Sequence, residues 1–216
     1  MFVKFLCDLN YCLLAHSIMF KKALFIFISL ALVSCSIFQS SPEKEKEKEV
    51  QKKPTKPKAP NLSTRAGKAQ YILARPSKFK LANYHLSGVK DQATALKNMQ
   101  YTSRGQAAKR SAYSTAPGGY CYLQNNMLNG LITLGKRGYS VAISELAGGG
   151  HSRTSRHYLG VAYDVTHING VKVSWSNPYY RDYMRIARQL GATEVLGPGD
   201  RGHSGHLHIA WPRTDR

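Results

Sequence analysis

Apolar residues recur at three- and four-residue steps between positions 122 and 137, and this period predicts an amphipathic helix. The repeating positions are Leu123, Met127, Leu131 and Leu134. Lys136 and Arg137 precede Gly138, an order that favours a helix end. Cations suit the negative end of a helix, and glycine accepts the left-handed conformation that follows it. The pattern therefore predicts that the helix stops at 137.

Shorter apolar or alternating runs follow and predict strands at 139–146, 161–168, 193–196 and 206–211. Asn169 and Gly170 form a strong hairpin signal that returns the chain through 171–173. A second helix is predicted from Asn177, as its N-cap, through Pro178 to Gly191. The order of elements predicts an α+β domain over 118–216, with a small antiparallel sheet and flanking helices.

Residues 61–117 carry weaker patterns. Short strands are predicted at 71–74 and 79–86, and a helix is predicted at 91–99, where three apolar residues have helical spacing. A basic, turn-rich stretch at 103–119 follows. We treat 61–117 as a lead-in to the C-terminal domain.

The N-terminal part has the composition of an export segment. Lys21 and Lys22 precede a short apolar run at 23–33, which is too short for a comfortable membrane span. The run ends in small residues before Cys35, which looks like a bacterial lipobox. We expect a signal peptide over 1–34, with Met19 as an alternative start, and lipidation at Cys35. A plain signal anchor or a lone apolar helix is the alternative.

Residues 35–60 follow as a Lys/Glu/Pro-rich spacer that lacks the apolar content for a core. We expect it to be disordered, either to hold the domain away from a membrane or simply as a solvated charge run. The expected location is the cell envelope, with a lipid anchor at Cys35 that faces the periplasm. Ser36 after the cysteine would suggest the outer membrane in a Gram-negative cell.

The chain carries a formal net charge of +19, from 31 Lys and Arg against 12 Asp and Glu. These basic residues are scattered and many lie in the spacer, and export removes the chain from nucleic acid, so we expect no nucleic-acid partner. The charge favours anionic envelope polymers or lipid head groups. Cys121 is the one cysteine outside the export segment and lipidation site, so an internal disulfide is excluded. Any metal must be held mainly by histidine and carboxylate.

Six of the eight histidines lie between 151 and 208. His157 and Asp164 are separated by six residues that include Gly160, and the last strand offers His206 and His208 on one face, because alternate strand residues share a face. A catalytic zinc usually takes three protein ligands of this kind and keeps one position open. The spacing predicts a site for one Zn²⁺ ion.

The segment SRHYLGVAYD resembles the S-x-H-x-x-G-x-A-x-D signature of zinc D-alanyl-D-alanine peptidases, in the lysostaphin, D-Ala-D-Ala carboxypeptidase and hedgehog superfamily. The segment GHLHIAW resembles the closing H-x-H of that superfamily. The resemblance implies the hedgehog/D-Ala-D-Ala peptidase-like fold and zinc held by His157, Asp164 and His208. It also implies Ser155 near the substrate and His206 as base or transition-state stabiliser.

Two positions depart from that pattern. Gly205 stands where many of these carboxypeptidases have a catalytic glutamate, and the strand at 143–149 lacks the arginine that grips a substrate carboxylate. Arg153 or Arg156 is the substitute we expect. His151 either lines the cleft or supports a ligand, and His85, His167 and His203 are expected to be ordinary hydrogen-bonded residues.

Two functions follow. The first is a zinc metallopeptidase that hydrolyses a peptidoglycan stem or cross-link bond, as carboxypeptidase or endopeptidase, with peptidoglycan as its partner. The second is a non-catalytic, zinc-containing wall-binding or scaffolding lipoprotein. The sequence leaves the scissile bond and the oligomeric state open.

Overall fold

A six-stranded mixed sheet forms the centre of the structure, a computed structural model that describes residues 59–214. The strands are β1 (Phe79–Leu81), β2 (Ala108–Lys109), β3 (Tyr120–Cys121), β4 (Val141–Glu145), β5 (Ala162–Ile168), β6 (Val171–Lys172), β7 (Glu194–Leu196) and β8 (Leu207–Ala210). The helices are α1 (Arg65–Leu73), α2 (Ala95–Ser103), α3 (Asn125–Lys136) and α4 (Tyr180–Gln189), with a 3₁₀ turn at Arg156–Leu159. The predicted α+β class is confirmed.

The strands of the main sheet run in the order β1-β4-β5-β8-β7, and β6 pairs with the end of β5. All of these pairs are antiparallel except β1 with β4. The predicted antiparallel sheet is therefore mixed. A parallel pair needs a long crossover, and here α2, the β2–β3 hairpin and α3 all lie between the two strands.

One face of the sheet packs against helices, and the other carries polar side chains. Tyr163 and Val165 of β5 are fully buried, and the Tyr163 hydroxyl hydrogen-bonds the Tyr183 hydroxyl of α4 at 2.9 Å. Asp164 lies between them in sequence, so its side chain faces the opposite side. The same alternation on β8 sends Leu207 and Ile209 into the core and leaves His208 beside Asp164. The candidate site thus lies on the face that the helices do not cover.

Helix α3 confirms the prediction from apolar spacing. It begins three residues after the predicted start and ends one residue before the predicted end. Its glycines allow close packing: a Cβ at Gly130 would lie 2.2 Å from the Trp211 ring, and one at Gly135 would lie 2.4 Å from Phe79. These two glycines of α3 therefore receive one aromatic ring from β1 and another from the residue after β8.

Helix α4 begins later than predicted, at Tyr180, so the assignment of Asn177 as its N-cap is wrong. The Asn177 carboxamide accepts a hydrogen bond from the Tyr179 N–H and donates to the backbone oxygens of Val171 and Lys172. Asn177 closes the turn before the helix instead, because its side chain satisfies the end of β6.

The lead-in differs most from prediction. The strand predicted at 71–74 is wrong, since these residues end α1, which Thr64 caps by accepting from the Gly67 N–H. The helix predicted at 91–99 begins at Ala95, with Thr94 as N-cap, and continues to Ser103. The strand predicted at 79–86 is confirmed only for β1. These elements pack on α3 and β4 within one compact unit.

The predicted signal segment, the lipidation at Cys35 and the spacer up to residue 58 lie outside the described residues. Among the helices of 59–214, none combines the length and apolarity that a membrane crossing requires.

Candidate metal centre

The three ligands implied by the family resemblance converge on one point. His157 Nε2 lies 3.1 Å from Asp164 Oδ1 and 3.1 Å from His208 Nδ1, and His208 Nδ1 lies 2.9 Å from Asp164 Oδ1. All three residues are buried. Two donors at about 2.0–2.1 Å from a tetrahedral zinc ion are about 3.3 Å apart, so the triangle has close to the size that such an ion requires.

Strand register produces two corners of this triangle. Asp164 of β5 pairs directly with His208 of β8, so their side chains stand next to each other on the same face of the sheet. The 3₁₀ turn supplies His157. Ser155 caps the turn by accepting from the His157 N–H, and Gly160 ends it with φ 71°. A Cβ at Gly160 would lie 2.2 Å from the Tyr122 oxygen, so only glycine fits there.

The hydrogen-bond pattern of His157 favours a cation at the centre. Its Nδ1 donates to the Leu146 carbonyl oxygen at 2.6 Å, which leaves the Nε2 lone pair directed at Asp164 and His208. Three lone-pair atoms at about 3 Å repel one another unless a proton or a metal ion lies between them. The residues thus fit a divalent metal with a fixed histidine tautomer.

The charges in the cluster agree with this picture. Burial opposes a charge on Asp164, but His157 and His208 outweigh it and hold the pKa of the carboxyl well below its usual range. Burial also opposes a charge on His157, but Asp164 outweighs it and raises the pKa of the ring. The pocket is therefore built around an anionic carboxylate that attracts a cation.

Glu194 of β7 supports the cluster, although the sequence analysis did not single it out. Its Oε1 lies 3.2 Å from His208 Nε2, a buried nitrogen that has no hydrogen-bond partner of good geometry among the described residues. Its Oε2 lies 3.3 Å from Arg156 Nε. Leu196 pairs with His208, so Glu194 is the diagonal neighbour on the same face. In the sequence, the signal that could have identified Glu194 was an acidic residue on a short, mainly apolar predicted strand.

His151 also belongs to the cluster. Its ring stacks on His157 with centroids 4.2 Å apart, and ligand atoms of His151, His157 and Asp164 lie within 4.8 Å of one another. That group leaves out His208, whose Nδ1 contacts of 2.9 and 3.1 Å are nevertheless the closer ones. We take the closer triangle as the ligand set and His151 as its neighbour. Burial lowers the pKa of His151 to about 4, so this ring is neutral at pH 7.

His206 stands at the edge of the cluster, as expected for a residue that contacts both ligand and solvent. Its Nε2 lies 4.0 Å from Asp164 Oδ2, and 28% of its side chain is exposed. Burial lowers the pKa of its ring. The His203 ring lies 4.9 Å from His206 and 6.0 Å from His208, so a histidine expected to be ordinary is brought to the site.

Two cavities meet at the cluster and share His151. The larger, of 520 Å³, is lined by Ser155, Arg156, His203 and His208 among others. The smaller, of 210 Å³, is lined by Asp164, His206, Glu145 and Tyr113 among others. Ser155 and Arg156 therefore reach the cleft. Arg153 is exposed and lines neither cavity, so the structure does not bring it to the site.

A second polar network lies behind the smaller cavity. Both ring nitrogens of buried His85 contact carboxylates: Nδ1 donates to Glu145 at 2.8 Å, and Nε2 donates to Asp91 at 2.7 Å. Burial raises the pKa of the Glu145 carboxyl, which opposes this ion pair, but the Glu145 hydrogen bond raises the pKa of His85 to about 9, so we take the ring as an imidazolium that donates to both carboxylates. The Ser111 hydroxyl donates to Asp91 and accepts from the Gly149 N–H. The lead-in thus fixes the loop that carries His151.

No protein-family model, no curated protein and no solved structure matches this chain.

Proposed function

We propose that this chain is a zinc-dependent peptidase that cuts an internal peptide bond of peptidoglycan, on a hedgehog/D-Ala-D-Ala peptidase-like fold. The observation that carries the proposal is the triangle of His157 Nε2, Asp164 Oδ1 and His208 Nδ1, at 2.9–3.1 Å, which two cavities border. Peptidoglycan enters through the resemblance of SRHYLGVAYD and GHLHIAW to the D-alanyl-D-alanine peptidase signatures, together with the predicted export signal.

His157, Asp164 and His208 would hold the ion. A bound zinc ion polarises a carbonyl group and lowers the pKa of its water to about 7. The chain's own contribution begins with orientation. The Leu146 carbonyl fixes the His157 ring, and Glu194 sits behind the His208 ring. Such supporting groups keep the ligands aligned and raise their basicity.

Proton transfer falls to His206. Position 205 is glycine, so the glutamate that many related carboxypeptidases use is missing. His206 Nε2 lies close to Asp164 and reaches solvent, and its burial-lowered pKa keeps the ring neutral and able to accept a proton. The same ring can then pass the proton to the leaving amine. The His203 ring lies 4.9 Å from it, tilted by 44°, and would help to hold its orientation.

The shape of the cleft favours an internal bond over a terminal one. Space continues on both sides of the cluster, into the 520 Å³ cavity and into the 210 Å³ cavity. A carboxypeptidase closes one side with a cation for the terminal carboxylate. Arg156 is the arginine at this cleft, and its Nε already faces Glu194 at 3.3 Å. These features support an endopeptidase that accepts chain on both sides.

The experiment is mass spectrometry of muropeptides after incubation with the purified protein, with and without a metal chelator. We expect chelator-sensitive cleavage of a cross-linked dimer and no release of terminal D-alanine from a monomeric pentapeptide. His206→Ala should bind zinc as wild type does and cut at least about 100-fold more slowly, in line with the usual contribution of a general base.

The alternative is a zinc-containing scaffold that binds the wall without cutting it, which Gly205 favours. Stoichiometric zinc with no mass change in any muropeptide would establish this alternative. If the protein released D-alanine from the pentapeptide and did not cut the dimer, it would still be a peptidase, but it would be a carboxypeptidase rather than an endopeptidase.

A further inference from the structure

A third cavity, of 310 Å³, lies beside the 3₁₀ turn that carries His157. It is lined by Arg110, Arg213, Tyr120, Tyr122, Cys121 and Tyr158, among others. The 3₁₀ turn connects the two sites, because His157 lies in the candidate metal cluster and Tyr158 lines this cavity. The Tyr158 hydroxyl accepts from the His151 N–H at 2.8 Å, and its backbone oxygen accepts from Arg110 at 3.4 Å. The proposed function does not use this cavity.

The cavity is positively charged. Arg110 and Arg213 line it, and none of the described residues that line it is acidic. Burial raises the pKa of the Cys121 thiol to about 11, and both guanidinium groups act against that shift, so both charges are felt at the same wall. Cavities with this charge attract anions, and the guanidinium fork matches a carboxylate in particular.

Arg110 contacts the surrounding protein and still has one N–H donor without a partner within residues 59–214. The Gly119 turn of the β2–β3 hairpin lies against it, since a Cβ at Gly119 would be 3.0 Å from an Arg110 terminal nitrogen. Its Nε is buried and has no hydrogen-bond partner among the described residues. A buried donor without a partner is costly, so the surroundings of this guanidinium leave its bonding incomplete.

Aromatic rings complete the site. Tyr120 and Tyr122 are 62% and 50% exposed, which is unusual for large side chains beside a cavity, and alternate positions place them on one side of the chain. The Arg65 guanidinium lies 4.7 Å from the centre of the Tyr122 ring. Exposed tyrosine faces suit the apolar face of a ring-shaped ligand. The cavity volume lies at the lower end of the range for ligand pockets and fits one substituted ring.

We propose that this cavity binds an acidic saccharide: a sugar ring that carries a carboxylate, packed on Tyr120 and Tyr122 and paired with Arg110. The choice of a saccharide over a nucleotide rests on the proposed function, since peptidoglycan offers such a ring. It is the muramic acid unit, whose lactyl carboxylate is free wherever the stem peptide has been removed. The site would hold the glycan strand while the cleft beside it acts on peptide.

The test compares two disaccharides that differ only in that acid group, N-acetylglucosaminyl-N-acetylmuramic acid and N,N′-diacetylchitobiose, by titration calorimetry on the purified protein. We expect the acidic disaccharide to bind about tenfold tighter or more. Arg110→Gln should remove that preference. Tyr120→Ala, at a position that is 62% exposed, should weaken both ligands by a similar factor. Arg104→Gln is the matched control, because Arg104 also lies over a tyrosine, at 5.3 Å from the Tyr101 ring, away from the cavity.

Equal affinity for the two disaccharides would overturn the proposal. So would no binding at about 10 mM, or unchanged binding in both variants. A short single-stranded oligonucleotide that binds tighter and depends on Arg110 would replace the saccharide with a nucleic acid. Asp164→Asn separates the two proposals, since it should stop peptide cleavage and leave disaccharide binding within about twofold. A protein that binds the disaccharide but cuts no muropeptide would refute the peptidase alone.

Discussion

At the residue scale, the cluster depends on the carboxylate of Asp164, and each of its two oxygens faces histidine. Asp164 Oδ1 lies between His157 and His208, and Oδ2 faces His206 at 4.0 Å. The Asp164 residue is 5% exposed, so its negative charge is compensated mainly by the histidines and by any cation that lies between them. Its charge, more than its shape, should therefore decide metal binding.

Asp164→Asn keeps the shape and removes that charge. We expect metal affinity to fall by more than about 100-fold, because loss of supporting residues alone costs 10- to 100-fold. Competition titration against a chelator measures this. Asp182→Asn is the control, because Asp182 lies on the exposed side of α4 beside Arg185. This variant should bind metal as wild type does. Equal metal affinity in both variants would show that Asp164 is not a ligand.

Glu194 tests the supporting layer. Glu194→Gln keeps the size of the side chain and removes the carboxylate near His208 Nε2, so we expect metal affinity to fall by about 10- to 100-fold. The same titration measures it. Arg156→Gln removes the contact on the far oxygen and should change affinity by no more than about threefold. If Glu194→Gln bound metal as tightly as wild type, Glu194 would not support the cluster and would be an ordinary surface residue.

At the element scale, close packing of α3 against the strands matters most. The helix presents Gly130 to Trp211, and the Trp211 indole also lies 5.6 Å from the Tyr163 ring of β5. This contact joins the helix, the residue after β8 and the strand that carries Asp164. A shift of Trp211 would therefore disturb the register that places Asp164 beside His208.

Gly130→Ala should lower the free energy of unfolding by about 1–3 kcal/mol, because the added methyl group would lie within 2.2 Å of the Trp211 ring. The higher helix propensity of alanine, up to about 1 kcal/mol, offsets only part of this. Urea unfolding measures the change. Gly205→Ala has open space around its Cβ and should unfold within about 0.5 kcal/mol of wild type. A Gly130→Ala protein as stable as wild type would contradict the packing described.

At the scale of the whole molecule, the lead-in and the C-terminal region depend on each other through buried charge. His85 and Asp91 come from the lead-in and Glu145 comes from β4, and the three side chains form one ion-paired network around the buried His85 ring. Glu145 pairs across the sheet with Asp164, so the network lies next to the metal cluster. Its protonation should therefore be visible in the stability of the fold.

His85 has a folded pKa of about 9, above the ordinary value of about 6.5 for the unfolded chain. Its ion pairs contribute fully below about pH 6.5, and the contribution declines as pH rises and is lost above about 9. His85→Gln should thus be less stable than wild type by on the order of 1–2 kcal/mol at pH 6, and by much less at pH 9.5. Urea unfolding at both pH values measures the difference.

His167→Gln is the control, because the His167 ring contacts the Thr166 hydroxyl rather than a carboxylate. It should show no comparable change between the two pH values. A His85→Gln deficit that stays constant with pH would mean that His85 is neutral and acts through packing alone.

The sequence by itself determined the local elements with strong period and punctuation. Helix α3, the β5–β6 hairpin and the final strand follow from apolar spacing, from Asn169-Gly170 and from alternation, all of which act within about ten residues. The histidines and the aspartate of the candidate metal centre stood out for the same reason, because their spacing and type were visible in two short motifs.

Only the tertiary structure decided what depends on contacts between distant segments. The apolar residues at 71–73 suit a strand or a helix, and packing on α2 and α3 selects the helix. Glu194, His203 and the His85 network carry no motif, and they reach the site only because β7 lies beside β8 and the lead-in adds β1 to β4. Strand register and packing over tens of residues place such groups, and no local pattern records either.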